Sequence, residues 1–332
     1  MTEKTENADF IGARCLVTGG AGFIGSHLVR RLLAGDARVT VIEDFSVGRR
    51  ENLPTNANLT VIEGDLTAFP DLERLTESAD FVFHLATQVG NIKSLDAPER
   101  DAETNVLATV RLLRACRGTR VRRLVYASSS AIFGEAESIP IVEDHRQSPE
   151  SFYALSKLTA EKYTLLAWRH WRVPGVCLRY FNVFGLPMED NEYTGVISIF
   201  FRRLAAGLPL RIFGDGSQVR DFVYVDDVAR ANMLAAMFSQ SGRTYNIGTG
   251  KAISIRELAE IMQRTTGRVT EIIHEAFRLG EVRRSVADIS RARAELGFEP
   301  SWDLARGVAA MWRTLAAEPA GPADRSRALT PS

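Results

Sequence analysis

The chain has little of what marks secreted, membrane-bound or metal-dependent proteins. Only three of its 332 residues are cysteine, and Cys15, Cys116 and Cys177 follow no paired spacing. A disulfide scaffold or a zinc site is therefore not expected, and two of the three lie in apolar strand-like runs that suit buried, reduced thiols. The five histidines are scattered without ligand spacing, so no metal is expected. No apolar run approaches the ~20 residues of a membrane span. The start, Met1-Thr2-Glu3-Lys4-Thr5-Glu6-Asn7, has no apolar signal core, and a cytoplasmic location is expected. Excess charge is missing too. Lys and Arg number 41, as do Asp and Glu, and no basic stripe offers nucleic acid an electrostatic footprint. Internal repeats are absent. What remains, 45% hydrophobic and 25% charged residues, suits a soluble globular chain with a large core, long enough for two lobes.

The first positive signal is a glycine loop. Arg14-Cys15-Leu16-Val17-Thr18 reads as a buried strand, Gly19-Gly20-Ala21-Gly22-Phe23-Ile24-Gly25 follows, and residues 26–33 have helical periodicity. Strand, glycine loop and helix in that order are the context of a dinucleotide fingerprint. Glycines permit the tight turn and let backbone N–H groups approach a pyrophosphate at the positive end of the helix dipole. A second strand, residues 38–42, ends in Glu43-Asp44, where an acid bonds the adenosine ribose hydroxyls. A carboxylate there repels a 2′-phosphate, so NAD is expected over NADP, although Arg49 and Arg50 stand nearby.

Strand and helix patterns then alternate. Apolar runs at residues 59–62, 81–85, 124–127 and 175–178 are separated by helical stretches at 101–116 and 152–170, which predicts an α/β fold with a doubly wound parallel (Rossmann) sheet. Ligands bind such sheets beyond the carboxyl ends of the strands, and Asp65, His84, Ser129 and Asn182 are expected to meet in one crevice there. After Gly185 the pattern is less regular, with turns at Gly207-Leu208-Pro209 and Gly214-Asp215-Gly216 and helices near 226–238 and 254–265. These segments predict a smaller C-terminal α/β substrate lobe. The expected division is a cofactor domain of residues 12–185, with 219–247 returning to it, and a lobe of 186–218 and 248–316. The tail, residues 317–332, is rich in alanine, proline and charge and is expected to be disordered.

Tyr153-Ala154-Leu155-Ser156-Lys157 places a phenol and an ammonium one helical turn apart on one face. A neighbouring cation favours the phenolate, so the pair is expected to acidify Tyr153 toward the pH at which it can accept a proton. Upstream, Ser128, Ser129 and Ser130 follow a strand.

These residues together resemble the extended short-chain dehydrogenase/reductase family, and within it the NAD-dependent nucleotide-sugar epimerases and dehydratases. The likeness spans nearly the full chain. It includes Gly64-Asp65-Leu66, His84-Leu85-Ala86, the stretch from Ala127 to Gly134, Arg179-Tyr180-Phe181-Asn182-Val183-Phe184-Gly185, the stretch from Arg220 to Asp227, and Tyr245-Asn246-Ile247-Gly248. The resemblance implies that Ser129, Tyr153 and Lys157 are catalytic. For the cofactor it implies Gly19, Gly22, Phe23, Ile24, Gly25, Glu43, Asp44, Asp65 at the adenine, Leu66, Leu85, Ala86 and Asn105, which supports the lysine network. For the substrate it implies Ser130, Asn182, Val196, Arg220, Arg278 and Ser285, with Arg220 and Arg278 suited to a diphosphate by their forked guanidinium.

The same resemblance implies the chemistry. Related dehydratases carry Asp-Glu after the catalytic hydroxyl residue, because eliminating water needs an acid and a base; here Ser130 and Ala131 stand there. Oxidation at C4 and return of hydride remain, a UDP-hexose 4-epimerisation through a transient 4-keto sugar. The alternatives are a nucleotide-sugar reductase or dehydratase of this family, and a non-catalytic NAD-binding protein. Relatives acting on UDP-glucuronate usually show Thr at Asn182 and an arginine near Glu189, which disfavours a carboxylated sugar. The small Ser285 leaves room for an N-acetyl group. Family members pair the 101–116 and 152–170 helices of two subunits, and Leu155, Leu158, Leu165 and Leu166 suit a homodimer.

Overall fold

A computed structural model describes residues 10–187, 195–277 and 282–317. The expectations for Glu189, Arg278 and the tail beyond residue 317 lie outside the described residues.

Among these residues the strands are, in chain order, β1 (Arg14–Thr18), β2 (Arg38–Glu43), β3 (Leu59–Glu63), β4 (Phe81–His84), β5 (Arg123–Ser129), β6 (Gly175–Tyr180), β7 (Asn182–Phe184), β8 (Leu210–Phe213), β9 (Val219–Arg220), β10 (Phe222–Tyr224), β11 (Thr244–Ile247), β12 (Ile253–Ser254), β13 (Ile272–Glu275) and β14 (Arg284–Ser285). Seven of them form one sheet in the order β11-β6-β5-β4-β1-β2-β3, with every pairing parallel. The order reverses between β1 and β4. Loops leaving those two strands diverge and open a crevice above their carboxyl ends.

Continuous apolar runs make this sheet. All four residues of β4 and all six of β6 are buried, as a sheet covered on both faces requires. Neighbouring residues feed opposite cores. Val17, Phe83, Val125 and Leu178 pack with Leu28 and Leu32 of the helix Phe23–Ala34 and with Met233 and Leu234 of the helix Val225–Phe238. Leu16, Val82, Leu124 and Cys177 pack with Leu112 and Leu113 of the helix Ala108–Ala115 and with Ala160 and Ala167 of the helix Phe152–Trp171. Leu296, at the end of the helix Ser290–Leu296, and Phe298 join the first of these cores.

The helix expected over 101–116 is not uniform. It is built from the helix Pro98–Ala102, a π-helical turn over Glu103–Leu107 and the helix Ala108–Ala115. The wide turn falls where Asn105 reaches both the loop after β4 and the helix Phe152–Trp171, and such turns often mark functional regions.

After β6 the chain enters β7 and a smaller α/β lobe with a separate core. Phe184, Phe200, Phe201 and Leu204 pack there with Leu258, Met262, Val308 and Met311. Two short sheets, β8 with β13 and β12-β9-β14, complete it.

Candidate active site

The crevice is a cavity of about 430 Å³. Gly19, Gly22, Phe23, Ile24 and Gly25 line one side, with Glu43 and Asp44 at the end of β2. Asp65 and Leu66 follow β3, Leu85 and Ala86 follow β4, and Asn182 and Val196 line the side toward the smaller lobe. Ser129, Tyr153 and Lys157 share the same cavity.

Local structure explains the glycine wall. Gly19 has φ +73, and a Cβ there would lie 2.6 Å from the Ala86 nitrogen. The helix Phe23–Ala34 starts with no capping side chain and no acid in its first turn. Its first N–H groups are thus left to an anion at the cavity wall.

The Ser129, Tyr153 and Lys157 cluster sits at the start of the helix Phe152–Trp171. Ser151 caps it, its Oγ accepting from the Ala154 N–H at 3.1 Å, and the Tyr153 N–H donates to Ser94 Oγ at 3.0 Å. One turn on, Lys157 Nζ donates to the Ala127 carbonyl of β5 at 2.7 Å. It lies 5.9 Å from the Tyr153 ring centroid and 5.1 Å from that of Tyr126. Ser129 ends β5; its Oγ accepts from the Ala131 N–H at 3.2 Å, and its hydroxyl acts to lower the pKa of the Tyr153 phenol.

Known proteins resemble this chain in sequence and in fold. The profile of the NAD dependent epimerase/dehydratase family matches residues 15–248. The chain belongs to that family. It is 39% identical to a UDP-glucose 4-epimerase of Mycolicibacterium smegmatis over 306 residues, covering 89% of this chain and 96% of that protein. Among solved structures, it is similar to a UDP-N-acetylglucosamine 4-epimerase from Methanobrevibacter ruminantium, solved with UDP-N-acetylmuramic acid (TM-score 0.88, 34% identity, 92% of this chain and 99% of that one). It is also similar to the UDP-glucose 4-epimerase of Thermotoga maritima with UDP-glucose (TM-score 0.87, 36% identity, 91% and 98%).

The epimerase/dehydratase family uses NAD, and the residues fit it. Glu43 is buried, its Oε2 accepting from the Ala21 N–H at 3.0 Å, which ties the acid to the glycine loop. Asp44 has one oxygen engaged by Ser46 at 2.9 and 2.7 Å. Both carboxyls line the cavity, as ribose recognition requires. Asp65 Oδ1 accepts from the Thr67 N–H and Oγ1, each at 2.8 Å, which fixes its side chain at the cavity wall.

Electrostatics correct one expectation. Lys157 does not acidify the phenol here; burial pushes Tyr153 up to about 12, against a smaller downward pull from the Ser129 hydroxyl. Burial also brings Lys157 down to about 7, while the Asp101 carboxylate acts to hold its proton. Desolvation penalises the charged form of each, so both are poised near neutral forms until a further charge enters.

Geometry also re-sorts the expected residues. His84 does not face the crevice; it is buried, with Nδ1 2.7 Å from Thr18 Oγ1 and Nε2 2.9 Å from Thr109 Oγ1, and burial lowers it to about 3. It stays neutral and ties β4 to β1 and to the helix Ala108–Ala115. Asn105 stands behind the cavity wall, accepting from Thr87 Oγ1 at 2.7 Å and the Gln88 N–H at 2.9 Å, and donating to Asp101 Oδ1 at 2.8 Å. It reaches Lys157 only through Asp101. Ser130 opens a short turn beside Ser129 and is not in the cavity lining. Arg220 and Ser285 are paired residues of β9 and β14, also away from that lining. They adjoin a second cavity of about 370 Å³, where Gln218, Phe277, Arg283 and Arg284 are among the lining residues.

The fold adds groups that motif reading missed. Ser128 Oγ donates to Glu161 Oε2 at 2.8 Å, and Arg179 grips both Glu161 oxygens at 3.0 and 2.6 Å. This buried pair locks the end of β5, and hence Ser129, to the helix that carries Tyr153. Nothing in the spacing of 128, 161 and 179 announces it. Asp101 is buried as well, and only its separation of four from Asn105 hinted at a shared face.

Proposed function

We propose that this protein interconverts the C4 epimers of a UDP-hexose, UDP-glucose and UDP-galactose or their N-acetyl forms, through a 4-keto sugar. The observation that carries this reading is the meeting of Ser129, Tyr153 and Lys157 in the cavity walled by the glycine loop. When bound, NAD supplies the hydride acceptor and a positively charged ring. With that ring and the Lys157 ammonium beside it, the Tyr153 phenol would release its proton to solvent, and the phenolate would take the proton of the C4 hydroxyl through or beside Ser129. After the sugar turns over, the phenol returns that proton. Ser130 and Ala131 offer no carboxyl for elimination, which disfavours the dehydratase alternative.

For the substrate we assign Asn182 and Val196, at the edge of the first cavity, with Ser130, Arg220, Ser285 and Arg278 contributing further contacts. Residues 12–185 and 219–247 serve as the cofactor half, and 186–218 with 248–316 as the substrate half. Acceptance of N-acetyl sugars rests on the small Ser285 side chain and on the likeness to a UDP-N-acetylglucosamine 4-epimerase. A homodimer is supported by Leu155 and Leu166, 50% and 45% exposed on one helix, beside exposed Phe152, Tyr163 and Leu107; an apolar patch of this kind suits subunit packing. Leu158 and Leu165 turn inward instead. The buried free thiols Cys15, Cys116 and Cys177 suit a reducing cytoplasm.

The test is incubation of purified protein with UDP-glucose and with UDP-N-acetylglucosamine, no NAD added, and separation of the epimers. Epimer formation with copurified cofactor supports the proposal. Stoichiometric consumption of added NADH, or no reaction, sinks it.

A further inference from the structure

His27 lies on the helix Phe23–Ala34, one turn beyond the residues that open on the cavity, and it bridges three segments of the chain. Its Nδ1 is 2.8 Å from Asp226 Oδ1 and its Nε2 is 2.6 Å from the Leu186 carbonyl oxygen. Neither partner has a hydrogen to give. A carbonyl only accepts, and so does an ionised carboxylate. Burial pushes the Asp226 carboxyl upward, but His27, Arg31 and Arg30 outweigh it and hold that carboxyl below its usual range.

A neutral imidazole has one N–H and one lone pair, so it can satisfy one of these oxygens and must turn its lone pair on the other. Both contacts together require the imidazolium. The side chains of His27 and Asp226 are 17% and 31% exposed, which shields the pair from water, and the Phe23 ring meets the imidazole edge-on at 6.4 Å. Arg30 and Arg31 are the charged neighbours on the same helix, Asp226 comes from the helix Val225–Phe238, and the corner after β7 presents the Leu186 carbonyl.

The bridged segments are the two sides of the cleft. Gly22, Phe23, Ile24 and Gly25 at the start of the His27 helix line the cavity, and so do Gly185 and Pro187 on either side of Leu186. The corner is tightly seated. Gly185 has φ +149, and a Cβ there would lie 2.5 Å from Val225 Cγ1, directly before Asp226.

We propose that His27 is a positioning residue, held as an imidazolium, whose paired hydrogen bonds pin the Gly185–Pro187 corner to the glycine-loop helix and so set the width of the nucleotide-sugar cleft. The substrate half of this statement rests on the epimerase reading; the protonation state does not.

The first measurement is nitrogen NMR of the histidine rings of the full chain at pH 7, with the His27 signals assigned by their loss in His27→Gln. Hydrogen on both ring nitrogens is expected; one bare nitrogen overturns the proposal. The second is kinetics of His27→Gln with UDP-glucose, since glutamine can donate to one oxygen only. KM is expected to rise about tenfold, as for loss of one charge-assisted hydrogen bond, with kcat nearly unchanged; an unchanged KM overturns the positioning role. Asp226→Asn is the second variant should His27→Gln not fold, and there one ring nitrogen is expected to lose its hydrogen with a similar rise in KM. A chain inactive on UDP-glucose would leave the ring measurement intact, so failure of the epimerase reading is distinguishable from failure of this one.

Discussion

The cofactor half and the smaller lobe use their residues in opposite ways. Around the glycine loop, residues close in sequence do the work together. Gly19 to Gly25 form one turn, Glu43 clasps Ala21 across two adjacent strands, and Asp65 braces itself on Thr67. On the substrate side, neighbours in space come from far apart. Arg220 pairs with Ile253 on one side and Ser285 on the other, and Asn182 and Val196 reach the cavity from separate elements. The difference teaches that a pyrophosphate can be held by one strand-turn-helix unit, whereas a sugar must be enclosed by several segments.

Four substitutions break or sharpen that contrast. Tyr153→Phe removes the proton carrier common to both halves, and kcat should drop about a thousandfold, within the range of a lost general acid and base. Binding of UDP-glucose, followed by calorimetry, should hardly change; wild-type turnover in this variant would contradict the role given to the phenol. Gly25→Ala acts on the cofactor half alone. Its Cβ runs into the Gly19 carbonyl, so purified protein should lose most of its bound NAD, read from the absorbance of released cofactor. Retention of a full complement would show that the loop can give way.

Arg220→Ala acts on the substrate side alone. KM for the nucleotide sugar should rise about tenfold, in line with a lost bond to a charged group, while NAD content stays at the wild-type level. A parallel loss of NAD would erase the distinction between the halves.

The smallest effect concerns stability of the cofactor-free protein. Lys157 has its pKa lowered to about 7 from 10.5 by burial, so between those values the unfolded chain binds more protons and stability rises with pH. Tyr153, raised from 10 to about 12 by burial, has the opposite sign, and its contribution falls away only above pH 10. Lys157→Met should therefore raise the melting temperature by a few degrees at pH 7 and flatten the climb from pH 7 to 10, measured by calorimetry. A pH dependence unchanged from wild type would show that this lysine is not desolvated.

Much of the site was legible because its signals are local. The glycine loop, the acid after β2 and the Tyr153–Lys157 spacing each occupy one element, and period and turn chemistry read them directly. His84 shows where such reading fails. It closes a strand as Asp65 follows one, yet its ring turns into the sheet toward Thr18 and Thr109, and only the packing of a third element decides that. The geometry around Asn105 was equally out of reach, since the π-helical turn that aims it at Asp101 and the Gln88 loop is set by partners far along the chain. The acidified phenol was a charge argument that omitted desolvation, which burial of Tyr153 and Lys157 makes the larger effect.

By itself the sequence determined the doubly wound sheet and the cofactor and marked Tyr153 as the candidate proton carrier, because periodicity, glycine geometry and one helical turn are short-range properties of the chain. Tertiary structure alone decided which charges are felt and which hydrogen bonds are shared. The Glu161–Arg179 lock, the Asp101 carboxylate behind Lys157 and the His27 clasp each join residues from separate elements. Their strength comes from the exclusion of water between them, which no spacing along the chain encodes.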